Sequence, residues 1–246
     1  MPATPAWPPK SLPRLYVRQP IADGALVELD PAQANYLGNV MRLGVDDHAL
    51  LFDGSSGEWL GRITDAGKKR MTLTIEQRTR EPEVIPDLWL AFAPIKRTRT
   101  DWLIEKATEL GAARLVPVIT QRTIAERVRI DRLQSIAIEA AEQCGRTRLP
   151  DISEPVTLKT FLAASPDRRL YFADETGGEA AVSAFRQGPA TILVGPEGGF
   201  TEHERDQIRA APAAVAISLG PRILRAETAA LAALSAFMAI AGDWSL

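Results

Sequence analysis

In the first third of the chain, short apolar runs alternate with turn-forming residues. Residues 14–18, 49–52, 58–64 and 71–76 read as strands. Asp53-Gly-Ser-Ser-Gly57 and Asp65-Ala-Gly67 read as hairpin connections between them. Asp30-Pro31 reads as a helix start, with Asp at the N-cap and Pro at the first helical position. That helix runs through Tyr36 towards Arg42 and stops near Gly44. The pattern predicts a small β-barrel carrying one or two helices.

A polar, proline-marked stretch at 78–86 divides the chain, giving predicted domains at 1–78 and 86–246. Beyond it, strands alternate with helices. Residues 88–93, 115–119, 170–173, 191–194 and 215–219 are apolar runs of strand length. The helical pattern at 101–110 puts Leu103, Ala107 and Leu110 on one face, with Gly111 as its stop. The pattern at 131–144 does the same with Leu133, Ala137, Ala140 and Cys144, ending at Gly145. Such alternation predicts an α/β domain, a parallel sheet with helices on both faces. The last helix, 227–241, is apolar almost all round. A helix of that kind is buried on more than one side, so a second copy of the chain is the simplest cover for its outer face.

Composition narrows the class. Of 246 residues, 46% are hydrophobic and 24% charged, as in an ordinary globular protein. No apolar run is long enough to cross a membrane. Residues 1–9 read as a loose Pro- and Ala-rich tail without the features of a signal peptide. The single cysteine, Cys144, fits a reducing cytoplasm and lies on an apolar helix face as a small hydrophobe. One cysteine and two histidines, His48 and His203, are too few for a typical zinc site, so no metal is expected. The net charge of −2 does not advertise a nucleic-acid binder, but RNA binding needs only a local basic surface. Candidate clusters are Lys68-Lys-Arg70, Lys96-Arg97 with Arg99, Arg127 with Arg129, and Arg146 with Arg148.

Two segments carry the chemistry. In each, an apolar run turns at a Gly-Pro pair, Gly195-Pro196 or Gly220-Pro221, and enters a helix. The two strands are expected side by side in the sheet, with the loops at their carboxyl ends, where open α/β sheets bind ligands. Gly195, Gly198 and Gly199 let backbone approach a ligand. Neither loop has the Gly-Lys-Ser/Thr of a phosphate cradle. A flat, uncharged group such as a nucleobase suits them better than a pyrophosphate. Thr201 and Glu204 have the spacing of a capping box. Glu197, between Pro and Gly-Gly, has no helix to cap.

Gly195-Pro-Glu-Gly-Gly-Phe-Thr-Glu-His-Glu204 and Leu219-Gly-Pro-Arg-Ile-Leu-Arg-Ala-Glu-Thr-Ala229 resemble the signature motifs of the bacterial 16S ribosomal RNA uracil-N3 methyltransferases, the ribosomal RNA small subunit methyltransferase E family of the SPOUT superfamily. Asp101-Trp-Leu-Ile-Glu-Lys-Ala-Thr-Glu-Leu-Gly111, Glu139-Ala-Ala-Glu-Gln-Cys-Gly-Arg146 and Pro13-Arg-Leu-Tyr16 match further family segments, so the resemblance covers nearly the whole chain. It implies a PUA-like RNA-binding β-barrel followed by an α/β trefoil-knot methyltransferase domain, and a homodimer. The knot follows from the resemblance alone; periodicity does not show it. Two positions depart from the family. Tyr36 stands where an Asn-His pair is common, and Gln121-Arg-Thr123 where Glu-Arg-Ser is frequent.

The implied cofactor is S-adenosyl-L-methionine, held by Leu193, Val194, Gly195, Pro196, Glu197, Gly198, Leu219, Gly220, Ile223, Leu224 and Thr228. The implied partner is 16S ribosomal RNA within the small ribosomal subunit. Uracil N3 carries a proton at neutral pH, so its methylation needs a base or a cation that stabilises the anion. Arg225 is the candidate for the cation, since a guanidinium does not serve as the base. Glu197 and Glu227 are candidate proton acceptors, although Glu227 equally suits the positive end of the last helix. Because N3 lies on the pairing edge, the base must leave any pair or stack, which calls for further RNA contacts. Arg14, Arg18, Arg42, Lys96, Arg97, Arg146 and Arg222 are the candidates. Rival readings are a superfamily enzyme acting on another RNA, and a non-catalytic assembly factor. Both cofactor loops are retained with Arg225 and Glu227, which favours catalysis.

Overall fold

The computed structural model describes residues 12–67, 70–124, 127–164 and 167–245. The proline-rich tail and Lys68-Lys69 of the first basic cluster lie outside them. The chain forms two compact units, one of Met1–Val84 with Ala141–Leu149, the other of Ile85–Ala140 with Pro150–Leu246.

The first unit contains β1 (Arg14–Tyr16), β2 (Leu26–Leu29), α1 (Pro31–Asn35), β3 (His48–Phe52), β4 (Glu58–Ala66) and β5 (Met71–Arg80). They form one sheet in the order β1-β3-β4-β5-β2, with β1 parallel to β3 and the other pairs antiparallel. Alternation aims Val27, Leu29, Ala49, Leu51, Ile63, Leu73 and Ile75 into one core. β2, which the sequence pattern did not reveal, has only four residues, alternately exposed and buried. Asp30 caps α1 as expected: its carboxylate accepts the N–H groups of Ala32 and Gln33, both at 2.8 Å. The helix then widens into a π-helical turn, Tyr36–Val40.

Residues 141–149 join this unit through buried charges. Arg14 Nε donates to Glu58 Oε2 at 2.6 Å, and its other N–H groups donate to the carbonyls of Ala141, Glu142 and Arg146. Arg80 donates to both oxygens of Glu58 and to the Gly145 carbonyl. Burial raises the Glu58 carboxyl's proton affinity, but the hydrogen bonds from Arg80 and Arg14 outweigh it and hold the group below its ordinary value.

In chain order from Ile85, the structure runs β6 (Leu88–Phe92), α2 (Arg97–Glu109), β7 (Arg114–Ile119), α3 (Ile130–Cys144), β8 (Asp151–Ile152), β9 (Val156–Thr157), α4 (Leu158–Ala163), β10 (Arg169–Ala173), β11 (Glu179–Ala180), α5 (Ala181–Ala184), β12 (Ala190–Val194), α6 (Glu202–Arg209), β13 (Ala214–Ser218) and α7 (Ala226–Ile240). The strands form a parallel sheet in the order β11-β13-β10-β12-β6-β7-β8, with β9 also on β7. Leu88, Leu90 and Phe92 of β6 enter the core that also holds Leu103 and Ala107 of α2 and Leu234 and Phe237 of α7. Ala91, Leu193 and Phe172 enter the opposite core with Phe161 of α4 and Ile208 of α6. Burial on both faces explains the near-continuous apolar runs. The glycine stops after α2 and α3 adopt left-handed backbone, with φ of 86° at Gly111 and 87° at Gly145. Cys144 is half-buried at the end of α3.

One expectation is corrected. β12 and β13 are not neighbours, because β10 lies between them and pairs with both. The fully buried Tyr171 and Phe172 make β10 a central strand, and closeness in sequence did not decide adjacency in the sheet.

Candidate functional site

The loops that follow β10, β12 and β13 wall a cavity of about 340 Å³ at the carboxyl ends of the strands. Val194, Gly195, Pro196 and Glu197 line one side, and Leu219, Gly220, Arg222, Ile223, Leu224 and Arg225 the other. The two Gly-Pro loops therefore meet in one pocket although their strands are not adjacent. The insertion of β10 supplies a third wall, Ala173, Asp174, Glu175 and Gly177. The sequence reading missed this wall. Its signal was the same grammar of an apolar run followed by charge and glycine, Asp174-Glu-Thr-Gly-Gly178.

Three expected cofactor residues do not line the cavity. Leu193 turns into the opposite core, since alternate residues of β12 face opposite sides of the sheet. Gly198 sits against the stem of Arg122, 3.4 Å from where its Cβ would be. Thr228 lies exposed on α7, outside the cavity lining.

The first loop is held from outside. Thr201 and Glu204 form the expected capping box at the start of α6. Glu204, 3% exposed, does more than cap, because its Oε1 accepts the backbone N–H of Gln121. Arg122 donates to the Gly198 carbonyl at 2.6 Å, and Arg205 to that of Phe200 at 3.0 Å. Gly199 has φ of 66°, and a Cβ there would lie 2.5 Å from a Glu175 carboxylate oxygen. The left-handed backbone is what favours glycine there, since the Glu175 carboxylate is the far end of a side chain that can swing aside.

The second loop ends at Arg225, the N-cap of α7, whose exposed side chain makes no capping bond. Ser, Thr, Asp or Asn would stabilise this position better. An arginine stands there instead, at the edge of the cavity. Glu227, two residues on, lies in the first turn of α7 and is 8% exposed. It does not line the cavity. Its Oε2 is buried and takes no hydrogen bond among the described residues. Arg99 of α2 lies 3.6 Å from Glu227 Oε1 and 3.7 Å from Glu197 Oε1.

The basic candidates separate into two groups. Arg14 and Arg146 are the less accessible pair: each side chain is only 7% exposed and is held within the first unit, Arg14 by Glu58 and three carbonyls, Arg146 beside Glu83. Arg14 thereby ties the segment 141–149 to the first unit's sheet. Arg18, Arg42, Lys96, Arg97 and Arg222 are exposed. Lys96 and Arg97 begin α2, whose first turn contains no acidic residue. Positive charge at a helix N-terminus is locally unfavourable, and an arriving anion would relieve it.

The donor set fits a nucleoside bearing an amino-acid tail. Val194, Ile217, Leu219 and Leu224 offer an apolar wall to a flat ring, while Glu175, Glu197, Arg205 and Arg222 offer both signs of charge to a zwitterion. Among the described residues, no group of His, Cys, Asp and Glu could hold a metal ion.

Comparison with known proteins agrees with this geometry. An RNA methyltransferase domain model matches residues 81–238, and an RNA methyltransferase PUA domain model matches residues 29–76. The ribosomal RNA small subunit methyltransferase E of Rickettsia conorii is 34% identical over 227 residues, covering 90% of this chain and 93% of its own length. The Bacillus subtilis protein of the same name is 28% identical, covering 89% of this chain and 92% of its own length. The crystal structure of the Neisseria gonorrhoeae enzyme of that name, bound to S-adenosylmethionine, matches with a TM-score of 0.86 at 32% identity, covering 95% of this chain and 99% of that one. A cavity assembled from three strand ends, in a chain matched by both domain models and by relatives along nearly its full length, places this protein in the ribosomal RNA small subunit methyltransferase E family.

Proposed function

We propose that this protein methylates N3 of a specific uridine in 16S ribosomal RNA, using S-adenosyl-L-methionine. The observation that carries the reading is the single cavity walled by both Gly-Pro loops, with Arg225 at its edge. The S-adenosylmethionine bound by the Neisseria relative supports the choice of cofactor. When bound, that cofactor supplies a methyl group on a positively charged sulfur.

The chain's own residues do the rest. Backbone groups of Val194, Gly195, Leu219 and Leu224 hold the flat and sugar portions. Arg225 stabilises the negative charge that develops on a uracil oxygen as the N3 proton leaves. Glu197, at the cavity wall, and Glu227, with its unpaired buried oxygen, are the candidate acceptors of that proton. Arg18, Arg42, Lys96, Arg97 and Arg222 hold the RNA backbone while the base is exposed.

The reading includes a homodimer and a cytoplasmic site of action. Trp102 of α2 and Ile240 of α7 remain 42% and 36% exposed on helices that pack together, which supports a second copy as their cover. No helix among the described residues is long and apolar enough to cross a membrane.

The test is nucleoside mapping of 16S ribosomal RNA from a strain lacking the gene, followed by methylation of that RNA with the purified protein. Loss and restoration of one N3-methyluridine is the expected result. Retention of that nucleoside overturns the uracil assignment, and failure to bind S-adenosylmethionine in calorimetry overturns the enzymatic one.

A further inference from the structure

We infer that Arg99 is a positioning residue that clamps the two cofactor loops together; this rests on the reading of the cavity as the S-adenosylmethionine site. Its guanidinium is the shared counter-ion of two carboxylates, one on the cavity wall and one just behind the cavity in the first turn of α7. Nη1 lies 3.7 Å from Glu197 Oε1, on the loop after β12. Nε lies 3.6 Å from Glu227 Oε1, in the first turn of α7. The fork of a guanidinium can serve both at once, which a point-charged ammonium does less well.

Three further observations support the assignment. Arg99 stands in the first turn of α2, where its charge opposes the helix dipole, so helix stability does not account for it. The turn that delivers it is fixed, because Thr100 Oγ1 donates to the Ile95 carbonyl and accepts the Ile95 N–H. Just before that turn, the end of β6 is tied to β12 by a hydrogen bond from the Ala93 N–H to the Val194 carbonyl at 2.9 Å. Arg99 thus approaches both carboxylates from a rigid base. Without it, Glu197 and Glu227 lose their common cation and repel each other. The loop after β12 then moves away from the N-terminus of α7, where Arg225 sits. Arg99 does not line the cavity; it sets the spacing on which both ligands depend.

The test uses the full-length protein with Arg99→Ala, Arg99→Lys, Glu227→Gln and the Arg99→Ala/Glu227→Gln double variant. Calorimetry with S-adenosylmethionine reads cofactor affinity, single-turnover methylation reads transfer at saturating cofactor, and thermal unfolding reads the fold. Arg99→Ala is expected to weaken cofactor binding about fivefold, the upper end for a part-exposed ion pair, and to slow transfer as well. In the Glu227→Gln background the same change is expected to matter less than about twofold, because the two residues act as a unit. Arg99→Lys is expected to fold and to fall between wild type and Arg99→Ala; it carries the test if the alanine variant does not fold. Affinity and transfer both at wild-type level in the lysine and alanine variants, or additive effects in the double variant, overturn the clamp. Failure of the wild-type protein to bind S-adenosylmethionine instead overturns the underlying reading of the cavity.

Discussion

Glu204 and Gln121 are 83 residues apart in sequence, yet the Glu204 carboxylate accepts the Gln121 backbone N–H at 2.7 Å. Its other oxygen accepts the Thr201 N–H at 2.9 Å, so one buried side chain caps α6 and pins the loop after β7 to the loop after β12. Glu204→Ala removes both functions and leaves backbone donors unsatisfied. The expected loss is about 2–3 kcal/mol of stability, read by denaturant unfolding, together with weaker S-adenosylmethionine binding. Unchanged cofactor affinity would show that the pin does not shape the pocket.

Arg225→Lys keeps the positive charge but loses the planar fork. The expected outcome is a fall in the transfer rate of about a hundredfold, the scale seen when an oxyanion donor is removed, with cofactor affinity nearly kept. Calorimetry and single-turnover assays on the same preparation separate the two. Loss of cofactor binding would move Arg225 from the RNA side of the cavity to the cofactor side.

The buried and exposed arginines should behave oppositely. Arg42→Ala or Arg97→Ala is expected to weaken RNA binding and to lower the salt slope by about 0.7 for each phosphate no longer neutralised, with stability unchanged. Arg14→Ala is expected to cost about 2–3 kcal/mol of stability, because charge-assisted hydrogen bonds to Glu58 and three carbonyls disappear. RNA binding measured against salt, beside thermal unfolding, reads both effects.

Acid should loosen the first unit through Glu58. Its carboxyl is held below the ordinary value of 4.5, so its contribution to stability is fully present above that value and is lost as pH falls through the lower folded one. Glu58→Gln is expected to lower the unfolding midpoint at neutral pH, with the gap to wild type constant above about pH 5 and narrowing towards pH 3. A gap independent of pH would mean that the charge of Glu58 contributes nothing.

The two Gly-Pro loops were legible because strand, turn and helix follow one another within about fourteen residues, a range over which local rules operate. The N-cap at Asp30, the capping box at Thr201 and the stops at Gly111 and Gly145 were legible for the same reason. The third wall at Asp174–Gly177 was written in the same grammar but without the Gly-Pro pair that drew attention to the others. The position of β10 between β12 and β13 depends on pairing among strands distant in sequence, which periodicity does not encode. Arg14, Arg146 and Arg99 looked like surface charge because their carboxylates and carbonyls come from remote segments. An arginine reads alike in a sequence whether its partner is a buried glutamate or a phosphate.

The chain leaves its first unit at Val84 and lends it Ala141–Leu149 before finishing the second. No single proteolytic cut can therefore release either half whole. A fragment ending near residue 84 lacks the carbonyls that receive the Arg14 guanidinium, and a fragment beginning there carries a strip that belongs elsewhere. Gene shuffling that exchanges only the front portion would orphan the same strip.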